Sequence, residues 1–308
     1  MRIASLLPAL TELVCALDRN GDLVGVSHGC DYPPGVESLP FLTRSRISAE
    51  GTSAEIDDRV SAQRDGLYEL EEEVLASLDP DLILTQEQCD VCAVNDETVR
   101  EAAARLPGSL SVESFNPINL DGVFAMFRRV GDLLDNRSRA DSLVADFELT
   151  AGEIARRHKT AAGQFSALRV LLLQWLDPPF SCGHWNPEII ERAGGVEVIG
   201  QAGVPARRLT WKEVAASRPE VVIVAPCGFK LERAEIELRA IESRAEWRDL
   251  PAVRGGRVVL ADGSAYFSRP SPRLEASLRI AAAAIDPEHC GDLAPPEGQG
   301  WLRWAVTR

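Results

Sequence analysis

Cysteine and histidine side chains in this sequence lie beside turns rather than inside apolar runs. They occur in four short segments, residues 28–33, 89–92, 181–185 and 226–229. Three of these segments follow a short aliphatic run that is typical of a buried parallel strand. Loops that leave the carboxyl ends of parallel strands gather along one sheet edge, where ligands bind. The pattern therefore predicts a binding cleft built from both halves of the chain.

Four cysteines are candidate metal ligands. Cys89 and Cys92 form a C-x-x-C pair, and two intervening residues let both thiols reach one ion or form a disulfide. Cys30 and Cys227 follow other predicted strands and bring the set to four thiolates, enough for tetrahedral zinc or an Fe–S cluster. The alternative is that Cys89 and Cys92 are small buried apolar side chains at the start of a helix. The sequence leaves both interpretations open.

Two histidines and one arginine are candidate polar groups of the same cleft. His28 and His184 could be axial ligands to cobalt or iron, because neutral imidazole binds both metals. The alternative is that they are hydrogen-bonding groups in the wall of the cleft. Arg269 could hold a carboxylate, phosphate or amide of the ligand through its guanidinium fork. It could equally be a surface charge at the edge of the sheet.

Aromatic residues accompany these segments and lie away from helical apolar stripes. Flat rings suit a large planar ligand, since each buries a large area with little loss of entropy. Core packing is the alternative, especially for the tryptophan at a predicted helix start, residue 211. The candidates for ring contacts with a ligand are Tyr32, Trp175, Trp185, Trp211, Phe229 and Tyr266.

Composition excludes several classes of function. The net charge of -14 over 308 residues argues against a nucleic-acid partner and against adsorption to anionic lipid. No run of 18 or more apolar residues follows residue 17, so we expect no membrane insertion. Neither a nucleophile elbow, a zinc-protease motif nor a glycine-rich phosphate loop is present, which predicts a non-catalytic protein.

The first 17 residues and the cysteine count bear on location. Residues 1–17 are apolar, but they carry a weak basic region, an internal Glu12 and no small-residue cleavage site. Seven cysteines, an odd number, fit a reducing compartment with free thiols or metal ligands. The sequence as it stands predicts a cytoplasmic protein, and a periplasmic one if a leader has been removed.

Strand and helix patterns alternate along the chain and predict α/β units with mainly parallel sheets. Predicted strands cover residues 3–7, 23–27, 82–85, 110–114, 168–174, 221–225 and 258–261. Predicted helices cover residues 10–17, 56–62, 70–77, 95–105, 187–193, 211–217, 236–240 and 272–284. Between 119 and 162 apolar residues recur at helical spacing with no strand, which predicts a helical connector between two lobes. An extended tail that packs Trp301 and Trp304 is expected after residue 287.

Several motifs resemble, in order and spacing, a family of bacterial solute-binding proteins. Members of this family serve ABC transporters of cobalamin, ferric siderophores, heme and metal ions, and the vitamin B12-binding branch is the most similar. The motifs lie at residues 5–12, 24–27, 31–34, 173–180, 188–195 and 209–214. The cysteine and histidine set, together with the lack of an export signal, resembles a signal-less branch whose cobalamin-binding label rests on analogy.

The resemblance implies a class III architecture, with two Rossmann-like α/β lobes joined by a long rigid helix. The implied domains are an N-terminal lobe at 1–118, a connector at 119–162, a C-terminal lobe at 163–290 and a tail at 291–308. The implied ligand is a corrinoid such as cobalamin, or a related metal complex, held in the cleft between the lobes.

The resemblance also implies roles for particular residues. Trp211 matches a tryptophan that packs on the corrinoid, and Tyr32 and the 175–180 loop, with Phe180, line the cleft. Glu97 and Glu188 lie where such proteins present one carboxylate per lobe to arginines of an ABC permease. Glu191 is the alternative to Glu188 for the carboxylate of the C-terminal lobe. A second hypothesis is a cytoplasmic metal or Fe–S protein, redox-active through its cleft cysteines.

Overall fold

Parallel strands and the helices that connect them make up most of the described chain. The computed structural model describes residues 1–64, 66–87, 94–106, 110–160 and 166–305. The chain divides into two units. Unit 1 comprises Met1–Gly51, Glu55–Pro117 and Phe124–Leu143, and unit 2 comprises Thr52–Ala54, Ile118–Val123 and Val144–Arg308.

Unit 1 contains a four-stranded parallel sheet and a two-stranded antiparallel one. The strands are β1 (Ile3–Ser5), β2 (Leu23–Val26), β3 (Thr43–Ser45), β4 (Tyr68–Leu70), β5 (Leu82–Gln86) and β6 (Ser111–Phe115). The order in the large sheet is β2-β1-β5-β6, and β3 pairs with β4. Every residue of β1 and β5 is buried. Strands covered on both faces read as continuous apolar runs, which is why the sequence identifies them.

Short helices connect the strands of unit 1. They are α1 (Pro8–Ala16), α2 (Ser53–Ala62), α3 (Glu72–Leu78) and α4 (Asp96–Arg105), although the first two residues of α2 belong to unit 2. Pro8 occupies the start of α1, where the missing N–H has no intrahelical partner to lose. Asn95 caps α4, and its side chain accepts a hydrogen bond from the Glu97 N–H at 2.9 Å. These local signals set the helix starts close to the predicted ones.

Two helices occupy the predicted connector. They are α5 (Leu120–Leu133) and α6 (Arg137–Thr160), and the chain passes between the two units within both of them. The predicted helical character of this segment is therefore confirmed, but its continuity is not. Asp135 interrupts it with a φ of 53°, a left-handed conformation that Asp adopts more readily than most residues. The boundaries of the lobes at 118 and 163 stay a prediction.

Unit 2 contains a six-stranded sheet. The strands are β7 (Arg169–Leu176), β8 (Pro179–Ser181), β9 (Val196–Glu197), β10 (Val221–Val224), β11 (Val258–Ala261) and β12 (Trp301–Arg303). Their order is β12-β11-β10-β7-β8, and β9 also pairs with β7. The contacts of β10 with β7 and β11 are parallel, whereas β8 and β12 pair in antiparallel fashion. The helices are α7 (Asn186–Arg192), α8 (Trp211–Ser217), α9 (Leu231–Ile241), α10 (Ala245–Arg248), α11 (Pro251–Arg254), α12 (Leu274–Ile285) and α13 (Pro287–Cys290).

The C-terminal segment is more ordered than the predicted extended tail. It forms α13 and then β12, which pairs with β11. Trp301 and Trp304 are 2% and 4% exposed, so both rings are buried within unit 2. The expected packing of Trp301 and Trp304 is confirmed, whereas strand β12 was not predicted because three residues carry too little periodicity to identify a strand. Within the described ranges, no helix has the length and apolar character needed to cross a bilayer.

Candidate ligand-binding site

Two aromatic rings lie together at the carboxyl ends of neighbouring strands in unit 2. Trp175, near the end of β7, and Phe229, just beyond β10, have ring centroids 4.7 Å apart with planes inclined at 45°. The Arg233 guanidinium lies 5.1 Å from the centre of the Phe229 ring. The Trp175 indole N–H donates to the backbone oxygen of Ser53, also in unit 2, at 3.2 Å. This sheet edge therefore carries π-faces and a cation.

The β7–β8 hairpin adds a third ring. Trp175 and Phe180 are cross-strand partners, next to a shift in the pairing register after Leu173. The Arg208 guanidinium lies 5.6 Å from the centre of the Phe180 ring. Trp175 and Phe180 are partly exposed, which leaves ring surface available to a ligand. Phe229 is 7% exposed and packs against Trp175. We call Trp175, Phe180 and Phe229 the aromatic edge.

Close backbone packing fixes the position of Phe229. The Gly263 N–H donates to the Phe229 carbonyl oxygen at 2.9 Å. A Cβ atom on Gly263 would lie 1.9 Å from the carbonyl oxygen of Pro226, so only glycine fits there. The loops after β10 and β11 are thus locked together. Cys227 lies in the first of these loops and is exposed.

Trp185 packs inside unit 2. Its ring is 5% exposed, and its indole N–H donates to the Phe267 carbonyl oxygen at 2.9 Å. Phe267 is fully buried with a φ of 67°, and its N–H is held by the Ser277 hydroxyl at 3.0 Å. Tyr266 and Arg269, in the same loop, are partly exposed. Burial therefore favours a role for Trp185 in holding this loop, with Tyr266 and Arg269 nearer to the surface.

Trp211 is also largely buried. It is 8% exposed and packs edge-on against Trp247, with centroids 6.2 Å apart. The Arg244 guanidinium lies 5.5 Å from its centre, and Arg244 also pairs with Asp177 at 3.4 Å. The Trp211 indole N–H has no hydrogen-bond partner within the described part of the chain. These contacts favour the core-packing interpretation of this ring.

A capping box positions Trp211 at the first turn of α8. The Thr210 hydroxyl accepts from the Glu213 N–H at 3.2 Å, and Glu213 accepts in return from the Thr210 N–H at 2.8 Å. That N–H and the nearby Arg207 lower the pKa of Glu213 to about 2. The helix start is therefore set by a local signal that the sequence itself contains.

Two candidate histidines are half-buried, one in each unit. In unit 1, His28 Nδ1 lies 2.7 Å from the Thr43 hydroxyl, and its ring centroid is 5.1 Å from that of Tyr68. In unit 2, His184 stacks on Trp185 at 5.6 Å and has a φ of 53°. Burial lowers the pKa of each imidazole, and the contact with Thr43 opposes this for His28. Both rings are therefore favoured in the neutral form that can bind a metal.

The remaining unit 1 candidates differ in exposure. Tyr32 is 43% exposed, so its ring faces solvent in unit 1. Cys30 is 2% exposed, and its Sγ lies 3.1 Å from the Thr11 hydroxyl. Cys89 and Cys92 lie outside the described residues, so the C-x-x-C site stays a prediction.

The structure brings metal-capable side chains together in a cluster that the sequence did not predict. Among the described residues, one group of three such side chains converges, namely His158, Asp286 and Cys290. None was a predicted ligand. Since His158 and Cys290 are far apart in the sequence, no spacing motif could have revealed the group.

The two candidate permease contacts lie in different settings. Glu97 is exposed in the first turn of α4. Glu188 is half-buried, and its carboxylate accepts from the Leu120 N–H at 2.8 Å at the start of α5. An acidic group at a helix N-terminus stabilises that helix, so Glu188 has a structural role within unit 2. Its competitor Glu191 is exposed.

Parallel sheets with aromatic and basic side chains at strand ends define an α/β protein of the ligand-binding class. A family profile described as periplasmic binding protein matches residues 3–265, and the chain belongs to this family. The family consists of solute-binding proteins rather than enzymes, which confirms the prediction of a non-catalytic protein. Its members bind small-molecule ligands and function with ABC transporter permeases.

Individual relatives are distant but cover nearly the whole chain. The vitamin B12-binding protein of Pectobacterium atrosepticum is 23% identical over 276 residues, 89% of this chain and 84% of the relative. A periplasmic heme-binding protein from Pseudomonas aeruginosa superposes with a TM-score of 0.71 at 20% identity, covering 94% of this chain and 93% of the other. The periplasmic vitamin B12-binding protein BtuF of Vibrio cholerae gives 0.64 at 20% identity, covering 93% and 96%.

These similarities test the predicted fold, family and location. The α/β fold of class III binding proteins and the family resemblance are confirmed. The structural relatives named above are periplasmic proteins, and no finding supports the expectation of a cytoplasmic location for this chain.

Proposed function

We propose that this protein binds a corrinoid, or a closely related tetrapyrrole metal complex, and delivers it to an ABC permease. The observation that carries the proposal is the aromatic edge of unit 2, where the partly exposed rings of Trp175 and Phe180 are cross-strand partners and the buried Phe229 ring packs against Trp175. Ligands of open α/β sheets bind beyond the carboxyl ends of the strands. Relatives that bind vitamin B12 and heme share the fold over nearly its full length.

The aromatic edge suits a flat and mostly apolar ligand. Ring-on-ring contact buries a large area, and aromatic pairs contribute roughly 0.5–1.5 kcal/mol beyond that burial. Arg208 and Arg233 lie over ring faces and so bring guanidinium groups next to the same surface. An arginine can hold a carboxylate or phosphate on the rim of the ligand through paired hydrogen bonds.

The remaining candidates divide into contacting and supporting residues. Tyr32, Tyr266 and Arg269 are at least partly exposed and are proposed as further ligand contacts. His28 and His184 are proposed as polar contacts or axial ligands to the metal of the complex. The buried rings of Trp185, Trp211 and Phe229 are instead proposed to support the neighbouring loops and helix. This division follows exposure, since a residue must retain free surface to contact a ligand.

Delivery to a permease is proposed through exposed acidic side chains. Glu97 is the better of the two candidates because its carboxylate is exposed, whereas Glu188 accepts a backbone hydrogen bond from α5. In a reconstituted transport assay, Glu97→Gln is expected to reduce uptake while leaving the affinity for ligand unchanged. Unchanged uptake would remove Glu97 from the proposal.

The first experiment is a titration of the purified protein with cyanocobalamin and, separately, with hemin. Binding is followed by quenching of tryptophan fluorescence and by changes in the ligand absorption spectrum. Saturable binding of cyanocobalamin at one equivalent assigns a corrinoid, and saturable binding of hemin instead assigns the related heme-type complex. Failure of both ligands to bind would overturn the proposal.

A further inference from the structure

A second site lies at the opposite edge of the unit 2 sheet from the aromatic edge. The last turn of α6 supplies His158, and the α12–α13 junction supplies Asp286 and Cys290. Arg257, directly before β11, donates to the Ile285 carbonyl oxygen at 3.4 Å. Asp286 therefore lies near the start of β11, whereas ligands of the proposed function would bind where the strands end.

The three donor atoms converge at spacings typical of one bound ion. His158 Nε2 lies 3.6 Å from Cys290 Sγ and 3.7 Å from Asp286 Oδ2, and the donor atoms of the group all lie within 4.8 Å of one another. Zinc bonds of about 2.0–2.2 Å to nitrogen and oxygen and about 2.3 Å to sulfur place tetrahedral ligands about 3.4–3.6 Å apart. The two spacings from His158 therefore need little adjustment to accept the ion, and the third, between Asp286 and Cys290, is at most 4.8 Å.

All three side chains are largely removed from solvent. Cys290 is fully buried, and the side chains of His158 and Asp286 are 8% and 11% exposed. Buried polar groups are normally paired or coordinate a metal, and these three contact one another, so an ion bound here would replace their mutual contacts. Imidazole, thiolate and carboxylate together are ligands that zinc accepts.

Neighbouring groups orient the carboxylate of the site. His289 Nδ1 lies 2.9 Å and 3.0 Å from the two carboxylate oxygens of Asp286. The backbone N–H of His289 donates to Asp286 Oδ1 at 3.3 Å. Carboxylates that bind metals are commonly held by such outer hydrogen bonds. The nearby cation Arg157 is paired with Glu153 and Asp292, so its charge is compensated.

We propose that His158, Asp286 and Cys290 form a binding site for a zinc-type divalent transition-metal ion. Three protein ligands leave the fourth tetrahedral position to water. The ion would join the end of α6 to the α12–α13 junction and so stabilise unit 2. This role is independent of the ligand bound at the aromatic edge.

The test uses Co²⁺ as a spectroscopic probe in the full chain under reducing conditions. The thiols of the other predicted site, together with exposed Cys227, are removed first in a Cys89→Ser, Cys92→Ser, Cys227→Ser background. This background retains Cys290 and also Cys15, Cys30 and Cys182. We expect this background to bind one Co²⁺ with a sulfur-to-cobalt charge-transfer band that Zn²⁺ abolishes by displacement. Adding Cys290→Ser should abolish the band, and adding His158→Gln should strongly weaken binding.

Two further measurements, one of Co²⁺ affinity and one of thermal stability, test the proposed metal site independently of the charge-transfer band. His289→Ala should weaken Co²⁺ binding by about tenfold, the effect typical of an outer-shell partner. Zn²⁺ should raise the thermal midpoint of the background protein but not that of its His158→Gln variant. This comparison tests the site even if the Cys290→Ser variant fails to fold. No charge-transfer band in the background, or a band that survives both substitutions, would overturn the proposal.

Discussion

The indole of Trp175 and the ring of Phe229 lie 4.7 Å apart at the ends of two neighbouring parallel strands. The pairing of β7 with β10 aligns Leu173 with Val224, so the residues that follow each strand emerge at the same edge. A parallel sheet thus brings together two rings that are distant in the sequence. Phe229 is buried, so its ring supports the partly exposed Trp175 ring at the proposed ligand site.

Replacing Trp175 by leucine is expected to weaken ligand binding by about tenfold, because an aromatic contact worth roughly 1.4 kcal/mol corresponds to that factor. Isothermal titration with the ligand identified in the first experiment measures the change. Phe147→Leu is the matched control, since Phe147 is a core ring of α6 at 3% exposure. The control should lower the thermal midpoint and leave affinity intact. Equal affinity loss in both variants would contradict a direct role for Trp175.

Gly263→Ala is expected to destabilise the protein and to weaken ligand binding. The added methyl group would collide with the Pro226 carbonyl oxygen and so displace the loop that carries Phe229. Gly152→Ala is the control, because Gly152 lies in α6 with open space around it. That change should stabilise the protein by about 0.5–1 kcal/mol through helix propensity. Urea unfolding of both variants measures the two effects.

Stability should fall as the pH drops below the usual titration range of histidine, partly because of His184. Burial lowers the pKa of this imidazole in the folded chain. Below an unfolded value of about 6.5, the unfolded chain therefore binds more protons, and stability is lost towards the lower folded pKa. His184→Asn removes the titration and tolerates the positive φ. The variant should show a smaller loss of urea midpoint between about pH 7.5 and about pH 5.5; an unchanged loss would contradict the assignment.

Thr210→Ala is expected to cost about 1 kcal/mol, the typical value of a lost helix cap. The hydroxyl accepts the Glu213 N–H at the start of α8, where Trp211 begins to pack against Trp247. Thr210→Ser retains the oxygen acceptor and should behave like the unmodified protein in thermal unfolding. If serine and alanine were equally destabilising, the loss would lie in the methyl group rather than in the cap.

Local signals were sufficient for most of the secondary structure. The predicted strand 258–261 and the predicted helix 211–217 match β11 and α8 residue for residue. The first is a short aliphatic run between turns, and the second follows a Thr–Glu capping pair. Both signals depend on neighbours in sequence, which is why no tertiary information was needed.

Longer-range pairings were not accessible in this way. Strands β3, β4, β8, β9 and β12 have two or three residues each, too few to show alternation. Their existence depends on partners elsewhere in the chain, as when β12 pairs with β11. The exposure of individual side chains could also be read only from the structure, because nothing in the sequence distinguishes the buried Trp211 from the partly exposed Trp175.

The sequence by itself determined the alternation of strands and helices, the absence of known catalytic motifs and the resemblance to solute-binding proteins. These properties lie in periodicity and in motifs of adjacent residues. Only the tertiary structure decided which rings keep exposed surface and which metal-capable side chains converge. His158 contacts Cys290 because the last turn of α6 and α13 lie within the same unit. Such a contact cannot be recognised from the local spacing of residues in the sequence. Convergence of distant residues is a property of packing, so it appears only once the chain has folded.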